Sequence, residues 1–154
     1  MRELVWLTAC VGLVLLAACD RGKGYVRGRI RIYKGFGFSA ALPSDVRAND
    51  GNPAQDTHLY DFHVGSRPLL FAYVGNAPNA PHFKWSGAVV DTELHSGLQG
   101  TCRTKQSSAG LSRECLFRLS DDFPQKLHIW YENLDDSASR VADAVVDSLE
   151  AVPP

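Results

Sequence analysis

The chain has 154 residues, 45% of them hydrophobic, with 16 Lys and Arg against 17 Asp and Glu for a net charge of −1. A balance so close to neutral leaves no electrostatic footprint for a polyanion, so nucleic acid is not an expected partner. The length suits one domain, large enough to bury about two-thirds of its surface.

The first element is an apolar run without charge or proline, LVWLTACVGLVLLAA from Leu4 to Ala18. As a helix it would extend about 22 Å, short of the roughly 30 Å bilayer core that asks for about 20 residues. It suits the apolar region of a secretory signal, with Arg2 and the free amine as the positive end, weakened by Glu3. Leu16-Ala17-Ala18-Cys19, placed at the end of this run, closely resembles the lipobox of bacterial lipoproteins. The resemblance implies cleavage before Cys19, a diacylglycerol on its thiol and acylation of the new amine. Several acyl chains would anchor the product stably where one holds only marginally, at about 0.8 kcal/mol per buried CH₂. The alternative is an ordinary signal peptide, or a buried helix that happens to contain Cys19. Asp20 resembles the inner-membrane retention signal of enteric bacteria, which favours that membrane over the outer one. The expected division is a signal peptide over residues 1–18, the lipidated cysteine and a short tether over 19–24, and one globular domain over 25–154.

From Arg21 to Lys34 the sequence RGKGYVRGRIRIYK carries six cations, Arg21, Lys23, Arg27, Arg29, Arg31 and Lys34, and no acid. Held beside a bilayer, these charges could touch anionic headgroups, each contributing on the order of 1 kcal/mol. The alternation also reads as a half-buried strand, with Val26, Gly28, Ile30 and Ile32 inside and Arg27, Arg29 and Arg31 on a solvated face. The second reading is favoured, and both can hold together.

Strands are expected at Tyr25–Tyr33, Gly37–Leu42, His58–Gly65, Pro68–Val74, Gly87–Leu94, Gly100–Lys105, Glu114–Leu119 and Lys126–Glu132. These segments are rich in β-branched and aromatic residues and are separated by Gly, Pro, Asn and Asp clusters. In the last of them Leu127, Ile129 and Tyr131 share one face, and His128, Trp130 and Glu132 the other. The period then becomes helical. Asp135, Asp136 and Ser137 can cap a helix on which Ala138, Val141, Ala142, Val145 and Leu149 form an apolar stripe, with Pro153 and Pro154 as its stop. The expected fold is α+β, an antiparallel sheet covered by a C-terminal amphipathic helix.

Of the four cysteines, Cys10 falls in the signal and Cys19 is the lipid site, which leaves Cys102 and Cys115. Beyond the cytoplasmic membrane such a pair is expected to be a disulfide stapling one hairpin, stabilising by about 3 kcal/mol. Metal ligation competes, but no histidine stands at zinc-like spacing.

FSAALPSDV (Phe38–Val46), a polar loop, a hairpin and a terminal helix ending AVVDSLEAV (Ala144–Val152) together resemble the PsbP-like fold, which includes DcrB-like envelope lipoproteins. The resemblance implies a non-catalytic accessory or binding domain on an anchor, and supplies no functional motif. The segment between Gly97 and Leu119 departs from that pattern.

Catalytic signatures are missing from the sequence. The five histidines show neither an H-x-H nor an H-E-x-x-H spacing, and His58 and His63 fall on opposite strand faces. No G-x-S-x-G elbow occurs. Asp91 and Glu93 share a strand face, which reads as solvated rather than as an acid–base pair. The glycine-flanked Lys23 and Phe36 are not followed by a helix, so a phosphate cradle is unsupported. The sequence points to no enzyme, no metal and no cofactor. The candidate binding loop is YVGNAPNAPHF, in which Asn76-Ala77-Pro78 repeats as Asn79-Ala80-Pro81 and Phe83 follows as an aromatic anchor. A stiff connection with Phe83 and Trp85 in the core is the structural alternative.

The function expected is that of an anchored cell-envelope accessory or binding module facing the periplasm. Its partners would be the bilayer, through acylated Cys19, and an envelope protein. An immunity protein or inhibitor of a secreted cell-wall hydrolase is the alternative. An envelope enzyme would need His58, Asp61 or His95 gathered into a buried cluster.

Overall fold

Pairing of the β-branched and aromatic segments dominates the computed structural model, which describes residues 29–54, 56–78 and 86–153. In chain order the strands are β1 (Ile30–Lys34), β2 (Phe38–Pro43), β3 (Val46–Ala54), β4 (Thr57–Val64), β5 (Arg67–Gly75), β6 (Val89–His95), β7 (Leu98–Ser107), β8 (Gly110–Arg118) and β9 (Lys126–Leu134). Helix α1 (Asp136–Asp147) and the short β10 (Glu150–Ala151) complete it. Seven strands form one antiparallel sheet in the order β3-β4-β5-β9-β8-β7-β6, and three form a second, β1-β2-β10. Short hairpins make the larger sheet. Ser96-Gly97 joins β6 to β7 with both residues at positive φ, 40° and 90°, the twist that a two-residue turn between right-twisted strands requires.

The strand register explains the core. On one face of the large sheet Tyr60, Ala72, Ile129, Cys115 and Cys102 lie side by side across β4, β5, β9, β8 and β7. Val74, Leu127 and Phe117 form the adjacent row, and all of these side chains are buried. Each valine, leucine, isoleucine or phenylalanine so buried contributes about 1.5–3 kcal/mol. The small sheet and α1 cover this face together. Tyr33 packs its ring edge-on 5.6 Å from Phe62, and Phe38 lies 5.3 Å from Tyr60. Helix α1 buries Ser139, Ala142, Val145 and Val146. Its N-terminus is closed by Asp135, whose carboxylate accepts from the amides of Ala138 and Ser137 at 2.9 and 3.0 Å. Among the described residues no helix is long and apolar enough to cross a membrane.

The α+β expectation is met, as is the disulfide: Cys102 and Cys115 are directly opposite in the β7–β8 hairpin and bonded. Leu127, Ile129 and Tyr131 point into the core as read from the sequence. Three features differ. The polar loop after Val46 is the edge strand β3, hydrogen-bonded to β4 through Arg47, Asn49 and Asp50, which have no apolar face to announce them. Helix α1 ends at Asp147 rather than at the prolines. The Ser148 hydroxyl accepts from Ala41 N at 2.8 Å and donates to Val145 O at 2.8 Å, and Glu150 and Ala151 then join β2 as a strand. Strand β1 is inverted: Ile30 and Ile32 point outward, each 65% exposed, while Arg31 turns back and donates to Val46 O at 3.0 Å. The inward positions opposite Ala40 and Leu42 are taken by Tyr33 and Arg31.

Candidate binding face and its groove

The second face of the large sheet, away from α1, carries polar and aromatic side chains, buried at its centre and exposed toward β6. One row across it reads Tyr73, His128, Leu116, Thr101 and Thr92, and a second Phe71, Trp130, Glu114, Arg103 and Val90. Trp130 stacks between its neighbours, 4.7 Å from the His128 ring and 5.8 Å from Phe71. His128 Nε2 meets Glu114 Oε1 at 2.6 Å, with both side chains buried. A buried pair of this kind is poor evidence for stability, because taking both groups out of water offsets much of what their contact returns.

At one end of this face lies a groove of about 620 Å³ whose wall includes Thr92, Thr101, Gln99, Gln125, Arg118 and Lys126. Leu116 is its apolar side chain on this face, and Phe117, whose ring lies in the core, borders it. Hydroxyls, amides, two cations and Asp121 beside an apolar side chain can hydrogen-bond an extended polar ligand or a polypeptide segment. Arg118 is ion-paired with Asp121, which offsets part of the positive charge.

The groove adjoins the start of the loop singled out in the sequence. Asn76 Oδ1 accepts from Gln125 N at 3.1 Å, and Ala77 N donates to the Tyr73 hydroxyl at 3.2 Å. Gln125 belongs to the β8–β9 connection, which is closed by Leu119 N on Gln125 O at 2.8 Å and by Ser120 Oγ on Pro124 O at 2.9 Å. Asn76 therefore sits beside the groove; Pro78 is half-buried two residues on, while Asn79, Pro81 and Phe83 lie outside the described residues, as do Cys19 and Trp85.

The other candidates stay apart. His58 stacks on Phe36 with centroids 4.4 Å apart, and Asp61 faces Asn49 and His63 on the edge of the sheet. His95 lies on β6 at the opposite edge, so His58, Asp61 and His95 do not form a cluster. Asp91 is exposed as expected, but Glu93 is not simply solvated. It anchors a network that sequence reasoning missed: Glu93 Oε2 accepts from Arg113 Nη2 at 2.5 Å and meets His95 Nε2 at 2.7 Å, while Arg113 Nη1 donates to Asp143 Oδ1 at 2.7 Å. The Tyr131 hydroxyl donates to the same Asp143 oxygen at 2.8 Å. Burial works against the charges. Even so, the hydrogen bonds to Glu93 and Asp143 hold the Arg113 guanidinium above its usual range, and those from Arg113 and His95 hold Glu93 below the ordinary carboxylate range. Burial raises Tyr131, with the Asp143 charge acting in the same direction.

Glu93, His95 and Asp147 bring potential metal-ligand atoms within 4.8 Å of one another. A cation already occupies the centre of that group, because the Arg113 guanidinium contacts Glu93 and lies 3.8 Å from Asp147. The residues fit an ion-pair clasp tying β6 and β8 to α1, not a metal centre. The Glu93–Cys102–Cys115 group likewise offers no thiolate while the two sulfurs are bonded.

No family model matches the chain, and no curated protein matches it. Among solved structures it is similar to a crystal structure of a Bacteroides thetaiotaomicron VPI-5482 protein at 1.50 Å resolution, with a TM-score of 0.38 and 14% identity over 81% of this chain and 48% of that one. The chain spans about half the length of that protein, and a likeness at this level carries no functional argument.

Proposed function

We propose that the chain is a membrane-anchored cell-envelope lipoprotein that acts as a non-catalytic binding module. The observation that carries the reading is Leu16-Ala17-Ala18-Cys19 at the close of a short apolar run, with one remaining cysteine pair joined as a disulfide. An oxidising compartment is where such a bond persists. The distribution of titratable groups supports binding over turnover. His95, Glu93, Arg113 and Asp143 are consumed by the clasp, His128 and Glu114 by each other, and the groove brings together donors and acceptors. The partner face in this reading is the groove and the adjoining Asn76–Pro78 segment, which meet through the Asn76–Gln125 hydrogen bond.

The test is cross-linking in intact membranes followed by affinity recovery and mass spectrometry. A partner should be recovered with the wild-type chain and lost with Thr101→Arg, which fills the groove from an exposed position. A set of cross-linked proteins unchanged by Thr101→Arg, and no richer than that of a Cys19→Ala control, would remove the reading.

A further inference from the structure

Strand β1 breaks the rule that a half-buried strand turns its β-branched residues inward. Ile30 and Ile32 are opposite Pro43 and Ala41 in the register, which sets both on the outer face of the small sheet together with Lys34, opposite Ser39. Each isoleucine is 65% exposed, so neither serves the core, which Tyr33 reaches instead. Lys34, exposed, shares that face with the isoleucines, while Arg29, exposed just before the strand, falls in the alternate position with Arg31 and Tyr33. Paired exposed isoleucines beside a lysine form an amphipathic surface, with apolar tips that gain by leaving water and a charge that gains by meeting anions.

We propose that this face is the membrane-facing surface of the domain, with Ile30 and Ile32 entering the interfacial zone of an anionic bilayer and Lys34 meeting its headgroup phosphates. The proposal deepens the anchored reading and rests on it. Two further observations favour a bilayer as the occupant. The chain between Cys19 and Ile30 can span at most about 40 Å even when fully extended, so an anchor at Cys19 keeps this strand within that distance of the bilayer. Residues 21–34 also carry six cations and no acid, and beside a bilayer such a run is attracted to anionic lipid. In this arrangement the lipid holds the chain and the strand orients it, leaving the groove on the far sheet directed away from the membrane.

The experiment uses the full protein purified from membranes and reconstituted into vesicles, with Ile30→Cys, Ile32→Cys or Leu94→Cys labelled by an environment-sensitive fluorophore. Leu94, 74% exposed on the far edge strand, is the control. Expected is a blue shift and quenching by brominated lipid at positions 30 and 32, stronger in vesicles containing phosphatidylglycerol than in pure phosphatidylcholine, and none at 94. Probes at 30 and 32 that report water as fully as the probe at 94, in both vesicles, overturn the proposal. So does a concentration-dependent cross-link between position 32 of two copies without lipid quenching, which assigns the face to a second copy. Acylation is read separately from the intact mass. Water-exposed probes on an acylated chain defeat this inference alone, and quenched probes on a chain without acyl groups uphold the face while removing the anchor.

Discussion

Replacing Arg113 by Met keeps the length and apolar stem of the side chain but removes the cation at the centre of the clasp. Its side chain is 12% exposed, against 21% for Glu93 and 32% for Asp143. Removing one partner of a fully buried pair costs about 3–5 kcal/mol, whereas exposed pairs are worth about 1 kcal/mol or less. The intermediate exposure, together with the donors that remain (His95 for Glu93, Tyr131 for Asp143), places Arg113→Met at about 2 kcal/mol. Urea unfolding followed by tryptophan fluorescence should show the midpoint falling by about 1 M. The pH dependence gives a second reading. Glu93 titrates below its ordinary value of 4.5 because the Arg113 and His95 hydrogen bonds outweigh burial. Its contribution is therefore present above pH 4.5 and lost as pH falls through the lower folded value. The gap between wild type and Arg113→Met should be full at pH 7 and narrow steadily below pH 4.5. A gap under about 0.5 kcal/mol at pH 7 would place the pair in the surface class, and a gap constant from pH 7 to pH 3 would show that the loss comes from packing, either of which refutes the clasp.

Other outcomes follow from the same structure. Reducing the Cys102–Cys115 bond, or replacing both residues by Ala, should lower stability by about 3 kcal/mol and the melting temperature by about 10 °C. A shift under about 2 °C in a scan with and without reductant would show that β7 and β8 need no staple. Two glycines should separate cleanly. Gly110→Ala sets a new Cβ 2.4 Å from Leu134 O at φ 133°, and should prevent normal closure of the hairpin, whereas Gly97→Ala at φ 90° meets nothing within 4 Å and should cost about 1 kcal/mol. Equal melting temperatures for the two variants would contradict the packing described for Gly110.

The strands that could be read from the sequence were those with a one-sided apolar face. Leu127, Ile129 and Tyr131 in β9, and Leu70, Ala72 and Val74 in β5, announce both their strand and their buried side. Strand β3 could not be read because an edge strand with Arg47, Asn49 and Asp50 exposed has the composition of a loop, and only its pairing with β4 makes it a strand. The orientation of β1 was misread for a physical reason: the alternation of arginine and isoleucine fixes that two faces exist, but not which one meets the core, and Tyr33 and Arg31 settle that through tertiary contacts. The helix stop was assigned to prolines that the chain reaches only after the Ser148 cap and a further strand. The groove is not legible because it depends on β6, β7 and β8 meeting the β8–β9 connection, and the Arg113 clasp because no local spacing connects Glu93, Arg113 and Asp143 across β6, β8 and α1. Asn76 of the suspected loop contacts Gln125 of the groove, a contact that no local pattern encodes.

The account depends above all on a lipid at Cys19, and metabolic labelling with radioactive palmitate tests it most directly. Label should enter the wild-type chain, be absent from Cys19→Ala, and accompany a mass showing that residues 1–18 are gone. A wild-type chain that takes up no label and is recovered unacylated, with its apolar leader still attached, would contradict the account at its root.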